Sequence, residues 1–330
     1  MTMEWDKAAA LLAKARRVLV LTHVSPDGDA IGSMLGLAHA LQGMGKEVST
    51  AVDEGVPPEL TFLPGSETVH ASLNGVQADL VIAVDCGDES RMGQVGQMAR
   101  RSGAPLINLD HHPTNTLFGD ANLVNASTAA SAEGVLDWLD RLGVPLDRAT
   151  AYCLLTGLVT DTLCFRTDNV TSETLGKAQR LMAAGASLAE IVQRTVNRKS
   201  YAGLRLWALA MPTVRLEDHV IWATITREMF VQAGYSGSDD AGLVSTLVQA
   251  EEAYISVVFR ETAEGAVEIG IRAVPGFDTS GVAVALGGGG HRLASGATVR
   301  EPLETLVPRV VAMLKEAVRA GHPLVGEEQR

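Results

Sequence analysis

Four apolar runs early in the chain, at residues 18–21, 48–52, 80–84 and 106–109, lack the polar alternation of a strand with one wet face. Helical patterns at 8–15, 30–44 and 91–101 lie among them. A strand that is apolar on both faces must be covered on both, which is the condition of a parallel sheet wrapped by helices. The sequence therefore predicts an α/β fold with an N-terminal doubly wound, mostly parallel sheet. A smaller α/β unit follows, with a cleft between the two.

In such a sheet ligands bind outside the carboxyl ends of the strands, and there this chain places its ionisable residues. After 18–21 come His23, Asp27 and Asp29, with Gly28 read as the bend between the carboxylates. In an extended loop residues two apart point the same way, so both carboxylates can face one cavity. An alternative is that Asp29 only caps the helix starting near Ala30, but capping explains neither His23 nor Asp27. After 80–84 come Asp85 and Asp88. Asp85 occupies the place equivalent to Asp27 one strand away and is taken as a ligand, while Asp88 is read as a cap for the next helix. After 106–109 come Asp110, His111 and His112. Alternating side chains cannot all be buried there, so at least one imidazole faces the crevice, and Asp110 can hold an imidazole from behind. Asp161 ends an apolar helix read at 149–159, where the helix dipole disfavours a carboxylate unless a cation compensates.

If Asp27, Asp29, Asp85 and Asp161 converge, each close pair repels by about 4 kcal/mol at roughly 4 Å and an effective dielectric near 20. Several such pairs would consume much of the roughly 5–15 kcal/mol that holds a domain folded. Bound divalent cations remove the conflict, and oxygen donors with a few imidazoles suit Mn2+ or Mg2+ better than a thiolate-seeking metal, without excluding zinc. The three cysteines, Cys86, Cys153 and Cys164, have irregular spacings that fit neither a disulfide framework nor a zinc knuckle, and are read as reduced, buried small hydrophobes.

Composition narrows the partners. The net charge of -12 opposes grip along a long duplex, which relies on Lys and Arg displacing counterions from many phosphates. A compact site with bound cations can still take a small phosphorylated ligand. No apolar stretch approaches a membrane span and no signal-peptide pattern is evident, so the expectation is a cytoplasmic protein without membrane partners.

Helical periodicity continues from 131 to about 209, through patterns at 135–142, 149–159, 173–184 and 188–195, and polarity rises from Asn197 to Ser200. A further helix at 201–210 ends at Pro212. The expected organisation is a metal-binding domain at 1–185, a helical linker at 186–212 and a substrate-binding domain at 213–330. In the last of these, strands are read at 214–216, 220–224, 254–260 and 266–273, with helices at 241–249 and 302–320. The motif Gly287, Gly288, Gly289, Gly290, His291 follows the strand that ends near Arg272. Glycine richness leaves backbone N–H groups open to an anion but also serves a plain turn, and Arg272 can equally be a surface ion-pair residue.

The series His23, Pro26, Asp27, Asp29, then Asp85, then Asp110-His111-His112, then Asp161, and the late Gly-rich His motif closely resembles the DHH/DHHA1 phosphoesterases, from about residue 15 to 320. Length and plan look most like the bifunctional oligoribonuclease and pAp phosphatase branch of the nanoRNase A type. The resemblance implies two Mn2+ ions, with Mg2+ as the alternative: one held by His23, Asp27 and Asp85, the second by Asp29, Asp85, His111 and Asp161. It implies that His112 touches the scissile phosphate, that Asp110 supports the imidazoles, and that Arg272, Gly288, Gly289, Gly290 and His291 bind substrate. Ala273 departs from the Ser that many relatives carry after that Arg.

The expected activity is a two-metal phosphoester hydrolase that degrades RNA or DNA oligomers of a few nucleotides to mononucleotides and removes the 3'-phosphate of pAp. The leaving oxygen takes its proton from solvent or from His112. Expected partners are short oligonucleotides and nucleoside bisphosphates, with a homodimer allowed. The alternatives are a phosphodiesterase for cyclic dinucleotides or pApA, and, in another class, a nucleotide-sensing protein without turnover.

Overall fold

A computed structural model describes residues 2–196, 198–237 and 239–322. The chain divides into two compact units between Arg198 and Lys199. Asn197, in the stretch where polarity rises, lies outside the described residues.

The first unit runs β1 (Thr2–Met3), α1 (Trp5–Lys14), β2 (Arg17–Leu21), α2 (Gly28–Gly43), β3 (Glu47–Ala51), β4 (Leu80–Val84), α3 (Gly93–Arg101), β5 (Leu106–Asp110), β6 (Ala121–Val124), α4 (Ser131–Leu142), α5 (Arg148–Asp161), α6 (Ser172–Ala183) and α7 (Leu188–Arg194). Strands β2 to β6 are all parallel, and β1 adds antiparallel to the edge strand β6, giving the order β1-β6-β5-β4-β2-β3. Both faces are covered, as the apolar runs require. Val18 and Val20 of β2 pack into the cluster built by α1, α2, α4 and α5, whereas Leu19 and Leu21 pack beneath α3 with Val95 and Ala99. From β2 the chain winds first to the edge strand β3 and then back across β2 to β4, so the winding direction changes between β2 and β4. That switch point is where the crevice opens.

Helices α2 and α5 touch backbone to backbone. A Cβ on Gly32 would sit 2.6 Å from the Cys153 carbonyl oxygen, and one on Gly157 would sit 2.6 Å from Asp29 Oδ1. Gly28 serves the same contact: it opens α2 without a positive φ, and its missing Cβ leaves room for the Thr160 side chain. The bend expected of Gly28 is thus replaced by a close approach.

At the edge of the sheet, the Glu4 amide donates to the Asn122 carbonyl at 3.0 Å while the Asn122 amide donates to Glu4 Oε2 at 2.9 Å. Of the cysteines, Cys86 and Cys153 are buried and Cys164 is half-buried, all free.

The second unit runs α8 (Tyr201–Ala210), β7 (Arg215–Glu217), β8 (Val220–Ile225), α9 (Arg227–Ala233), α10 (Leu243–Leu247), β9 (Ile255–Glu261), β10 (Val267–Ala273), α11 (Ser280–Ala285), β11 (Gly289–Gly290), β12 (Ala294–Val299) and α12 (Leu303–Ala320). Its mixed sheet has the order β11-β12-β10-β9-β8-β7, with β8 and β9 parallel and the other pairs antiparallel. α12 covers one face through Leu306, Val310 and Leu314, and α8 and α10 cover the other through Leu206, Leu243 and Leu247. Ile191 of α7 joins the first unit's core, so the helices at 188–194 and 201–210 belong to different cores. Among the described residues no helix is long and apolar enough to cross a membrane.

The α2–α5 contact predicts a contrast between two substitutions. Gly32→Ala forces backbone apart and is expected to lower unfolding stability by about 1–3 kcal/mol. Gly176→Ala in α6, where a Cβ meets nothing within 4 Å, is expected to raise it by about 0.5–1 kcal/mol. Urea denaturation of the two variants checks both signs.

Candidate metal centre

Each parallel strand next to the switch point ends in one of the predicted clusters, and the backbone explains how they meet. Asp27 is the N-cap of α2, its Oδ1 accepting from the amides of Asp29 and Ala30 at 3.0 Å each. The capping weighed for Asp29 therefore belongs to Asp27. Asp29, 1% exposed, turns instead toward α4. Its Oδ2 accepts the Ser131 amide at 2.5 Å, and its Oδ1 accepts the Ala132 amide and Ser33 Oγ at 3.0 Å each. α4 begins after Ala130, which has no side chain to cap it. Asp29 therefore satisfies that helix's free amides from another element and sits at the positive end of its dipole. With two donors on Oδ1 and one on Oδ2, Oδ2 keeps the free lone pair.

Asp85, the first residue after β4, has φ +58°, a left-handed conformation rare outside glycine that costs on the order of 1–3 kcal/mol. Its carboxylate is the hub of the cluster. Oδ2 lies 3.4 Å from His23 Nε2, while Oδ1 lies 3.6 Å from His111 Nε2 and 3.8 Å from His112 Nδ1. Ser131 Oγ donates to the same Oδ1 at 2.9 Å. Asp88 lies apart and caps the turn Glu89–Met92 through the Ser90 amide at 2.9 Å.

Strand β5 ends at Asp110, so alternation no longer sends His111 and His112 to opposite sides, and both rings reach Asp85. Asp110 Oδ1 accepts from His112 Nδ1 at 2.7 Å and Oδ2 accepts from Asn115 Nδ2 at 2.6 Å. Its support thus goes to His112, while His111 Nε2 lies 3.5 Å from Asp161 Oδ2. Asp161 is the last residue of α5, and the chain leaves it through a left-handed turn, Leu163, Cys164 and Phe165, with φ of +48°, +62° and +62°. Three donor groups come within 4.8 Å internally: His23, Asp27 and Asp85; Asp29, His111 and Asp161; and Asp85, His111 and His112.

The electrostatics follow the packing. Burial, with Asp85 and Asp161 nearby, holds the Asp29 carboxyl well above its ordinary range. Burial likewise raises Asp161 to about 6. Burial also works against Asp85, but the imidazoles of His23, His111 and His112 outweigh it and bring it down to about 2. The hydrogen bond to Asp110 raises His112 to about 9. Next to Asp85, burial pushes the Cys86 thiol up and removes it as a thiolate donor. The donors are carboxylate oxygens and imidazole nitrogens, a set that fits a hard divalent cation.

In the second unit, Arg272 and Gly288 line one cavity of about 530 Å3, together with Asp240, Arg260 and Glu268. Arg272 is half-buried rather than a surface ion-pair residue: its Nη1 donates to the Ile271 carbonyl at 2.9 Å, and burial lowers its pKa. Gly289, Gly290 and His291 do not line this cavity. Gly289 and Gly290 pair with Gly296 and Ser295 of β12, and a Cβ on Gly290 would meet the Ala294 carbonyl at 2.6 Å. Exposed His291 exchanges backbone hydrogen bonds with Ala294.

The description "DHH family, N-terminal domain" matches residues 17–158, and "DHHA1 domain" matches residues 219–320. A Thermus thermophilus protein, named a bifunctional oligoribonuclease and PAP phosphatase, NrnA, is 36% identical, spanning 96% of this chain and 97% of its own. The chain belongs to the DHH family. Among solved structures, an exopolyphosphatase-related protein from Bacteroides fragilis has a TM-score of 0.88 at 24% identity, covering 96% of this chain and 97% of its own. RecJ from Thermus thermophilus, solved in complex with Mn2+, has a TM-score of 0.56 at 16% identity, covering 97% of this chain and 55% of its own. The stretch matched to the DHH part holds His23, Asp27, Asp29, Asp85, His111 and His112, with Asp161 three residues beyond its end, and the stretch matched to the DHHA1 part holds Arg272 and Gly288.

Sequence reasoning missed Ser131, Ser33 and Asn115. Ser131 stands where a helical pattern begins, which signals only a cap, and no spacing rule links it to Asp85.

The raised Asp161 value carries a sign. The folded state keeps a proton between the ordinary 3.8 and about 6, so ionisation across that window removes stability. In chelator, the wild-type melting temperature is expected to fall relative to Asp161→Asn as pH rises through that window. Mn2+ is expected to abolish the difference in slope, and differential scanning fluorimetry across pH checks it.

Proposed function

We propose that this DHH-family chain is a metal-dependent phosphoesterase that cleaves short oligoribonucleotides to mononucleotides and removes the 3'-phosphate of pAp. The observation that carries it is the presence of three donor groups, two of them sharing Asp85 and two sharing His111, each with its ligand atoms within 4.8 Å of one another. The NrnA relative, matched along nearly its full length, supports the substrate class.

In this reading His23, Asp27 and Asp85 hold one divalent cation, and Asp29 through Oδ2, Asp85, His111 and Asp161 hold a second, with Mn2+ as the metal. When bound, such a pair lowers the pKa of water and neutralises charge on the phosphoryl oxygens. The protein's own groups do the positioning. Ser131 Oγ and the left-handed backbone fix the Asp85 carboxylate, and the α4 amides fix Asp29. Asp110 holds His112 by Nδ1, so Nε2 of a largely protonated ring is left to hydrogen-bond the scissile phosphate. Water adds to phosphorus, the phosphorus–oxygen ester bond breaks, and the leaving oxygen takes a proton from His112 or solvent. In the second unit, Arg272 and the Gly288 backbone line a cavity whose chemistry suits a phosphate group. Short substrates agree with the net charge of -12, because few phosphate contacts are needed.

The test is a product time course with Mn2+ on an end-labelled five-nucleotide RNA, alongside pAp and cyclic di-AMP. Turnover is expected with the RNA and pAp and to stop in chelator. Turnover confined to cyclic di-AMP, or tight nucleotide binding with none, would replace the proposal. Asp85→Ala and His111→Ala are expected to lower hydrolysis by at least about a thousandfold while far-UV circular dichroism stays unchanged.

Ser131→Ala keeps the backbone amide on Asp29 and removes only the hydroxyl on Asp85. Mn2+ affinity, read by electron paramagnetic resonance of free metal, is expected to fall roughly 10- to 100-fold. Ser131→Thr is expected to restore most of it.

A further inference from the structure

Two groups compete for one nitrogen of His23. The Val24 carbonyl oxygen lies 2.9 Å from Nδ1 and requires a proton there, whereas Nη2 of Arg91 lies 3.0 Å from the same atom and requires a bare lone pair. Neutral imidazole satisfies one of them at a time. The other ring nitrogen, Nε2, faces Asp85 Oδ2 at 3.4 Å.

Were His23 to hold a cation through Nε2, the ring proton would have to sit on Nδ1, where the Val24 carbonyl would accept it, and the guanidinium of Arg91 would lose its hydrogen bond to His23. No carboxylate among the described residues forms an ion pair with Arg91, in contrast to Arg100, which pairs with Glu89 and Asp120. The main chain at Arg91 stays anchored throughout: its carbonyl accepts the Val24 amide at 2.8 Å, and its amide donates to the Asp88 carbonyl at 3.1 Å. Arg91 is exposed, and with that bond given up its guanidinium would stay beside the proposed metal ligands. Its planar fork matches two oxygens of a phosphate.

We infer that Arg91 is a substrate-binding residue that receives a phosphate group of the nucleotide substrate and becomes free to do so once a cation occupies the site. The inference rests on the metal-dependent phosphoesterase reading and adds an order of loading, cation before phosphate. It also separates Arg91 from the residues that hold metal: removing its side chain leaves every proposed metal ligand in place and takes away a competitor for His23.

Arg91→Ala and Arg91→Lys test it in three measurements. With pAp and Mn2+, Arg91→Ala is expected to raise KM on the order of 10- to 100-fold, the usual worth of a charged hydrogen bond to phosphate, with a smaller change in kcat. Arg91→Lys is expected to fall between it and wild type. Mn2+ affinity of the substrate-free protein, by electron paramagnetic resonance, is expected to be unchanged or tighter in Arg91→Ala. Calorimetric titration of the Mn2+-loaded protein with inorganic phosphate is expected to show binding weakened in the variant by a similar factor. Unchanged KM and unchanged phosphate binding in Arg91→Ala overturn the inference. So does Mn2+ affinity that falls in step with activity, which would make Arg91 a prop for His23 alone. Should wild type turn over none of the substrates, the functional reading fails by itself, and the phosphate titration still decides the role of Arg91.

Discussion

Two carboxylates without solvent, Asp29 and Asp85, set the terms for the rest of the first unit. Each is compensated by a different device. Asp29 closes the start of α4, whose own cap position is an alanine, and so ties α2 to α4 through a charge. Asp85 draws on three imidazoles from two loops and on a serine hydroxyl, at the cost of a left-handed backbone. The devices share one residue. Ser131 gives its amide to one carboxylate and its hydroxyl to the other, so the two acids cannot shift independently. The remaining imbalance, a raised Asp29 beside a depressed Asp85, is the electrostatic signature of a place built for added positive charge.

Glycine makes the convergence sterically feasible. The backbone contact of Gly32 with α5, and the space that Gly157 leaves for Asp29, bring the end of α5 and hence Asp161 to the carboxyl edge of the sheet. An ordinary side-chain-mediated helix pair, with axes about 8–10 Å apart, would hold Asp161 farther from Asp29.

How much of this the sequence discloses depends on the range of the interaction. The parallel sheet was legible because β2 and β4 carry unbroken apolar runs, and the clusters were legible because they follow those strands directly. Elements that rely on pairing rather than composition were not: β12, with Gly296 inside it, and the two-residue β1 and β11 carry almost no pattern of their own. The helix at 241–249 contracts to Leu243–Leu247, with Ala241 and Gly242 left-handed before it. The cap at Asp27 and the reach of Asp29 were exchanged because a sequence shows only that an acid precedes a helix, not which acid turns back on it. Ser131 and Arg91 were invisible for a related reason, since their partners lie 46 and 68 residues away in the chain. In the second unit Arg272 and Gly288 line one cavity, while Gly290 answers to the close approach of β12.

The antiparallel pairing of Thr2–Met3 with β6 is a ladder of only two residues a side, yet it bears on how the protein behaves in company. A parallel sheet ends in a row of unsatisfied amides and carbonyls that invites another chain to add itself. Here Thr2 and Met3 pair over part of that row, and Glu4 continues the contact at Asn122. Loss of Thr2 and Met3 would leave the backbone of Leu123 and Val124 as open edge, a longer parallel edge for another chain to pair with.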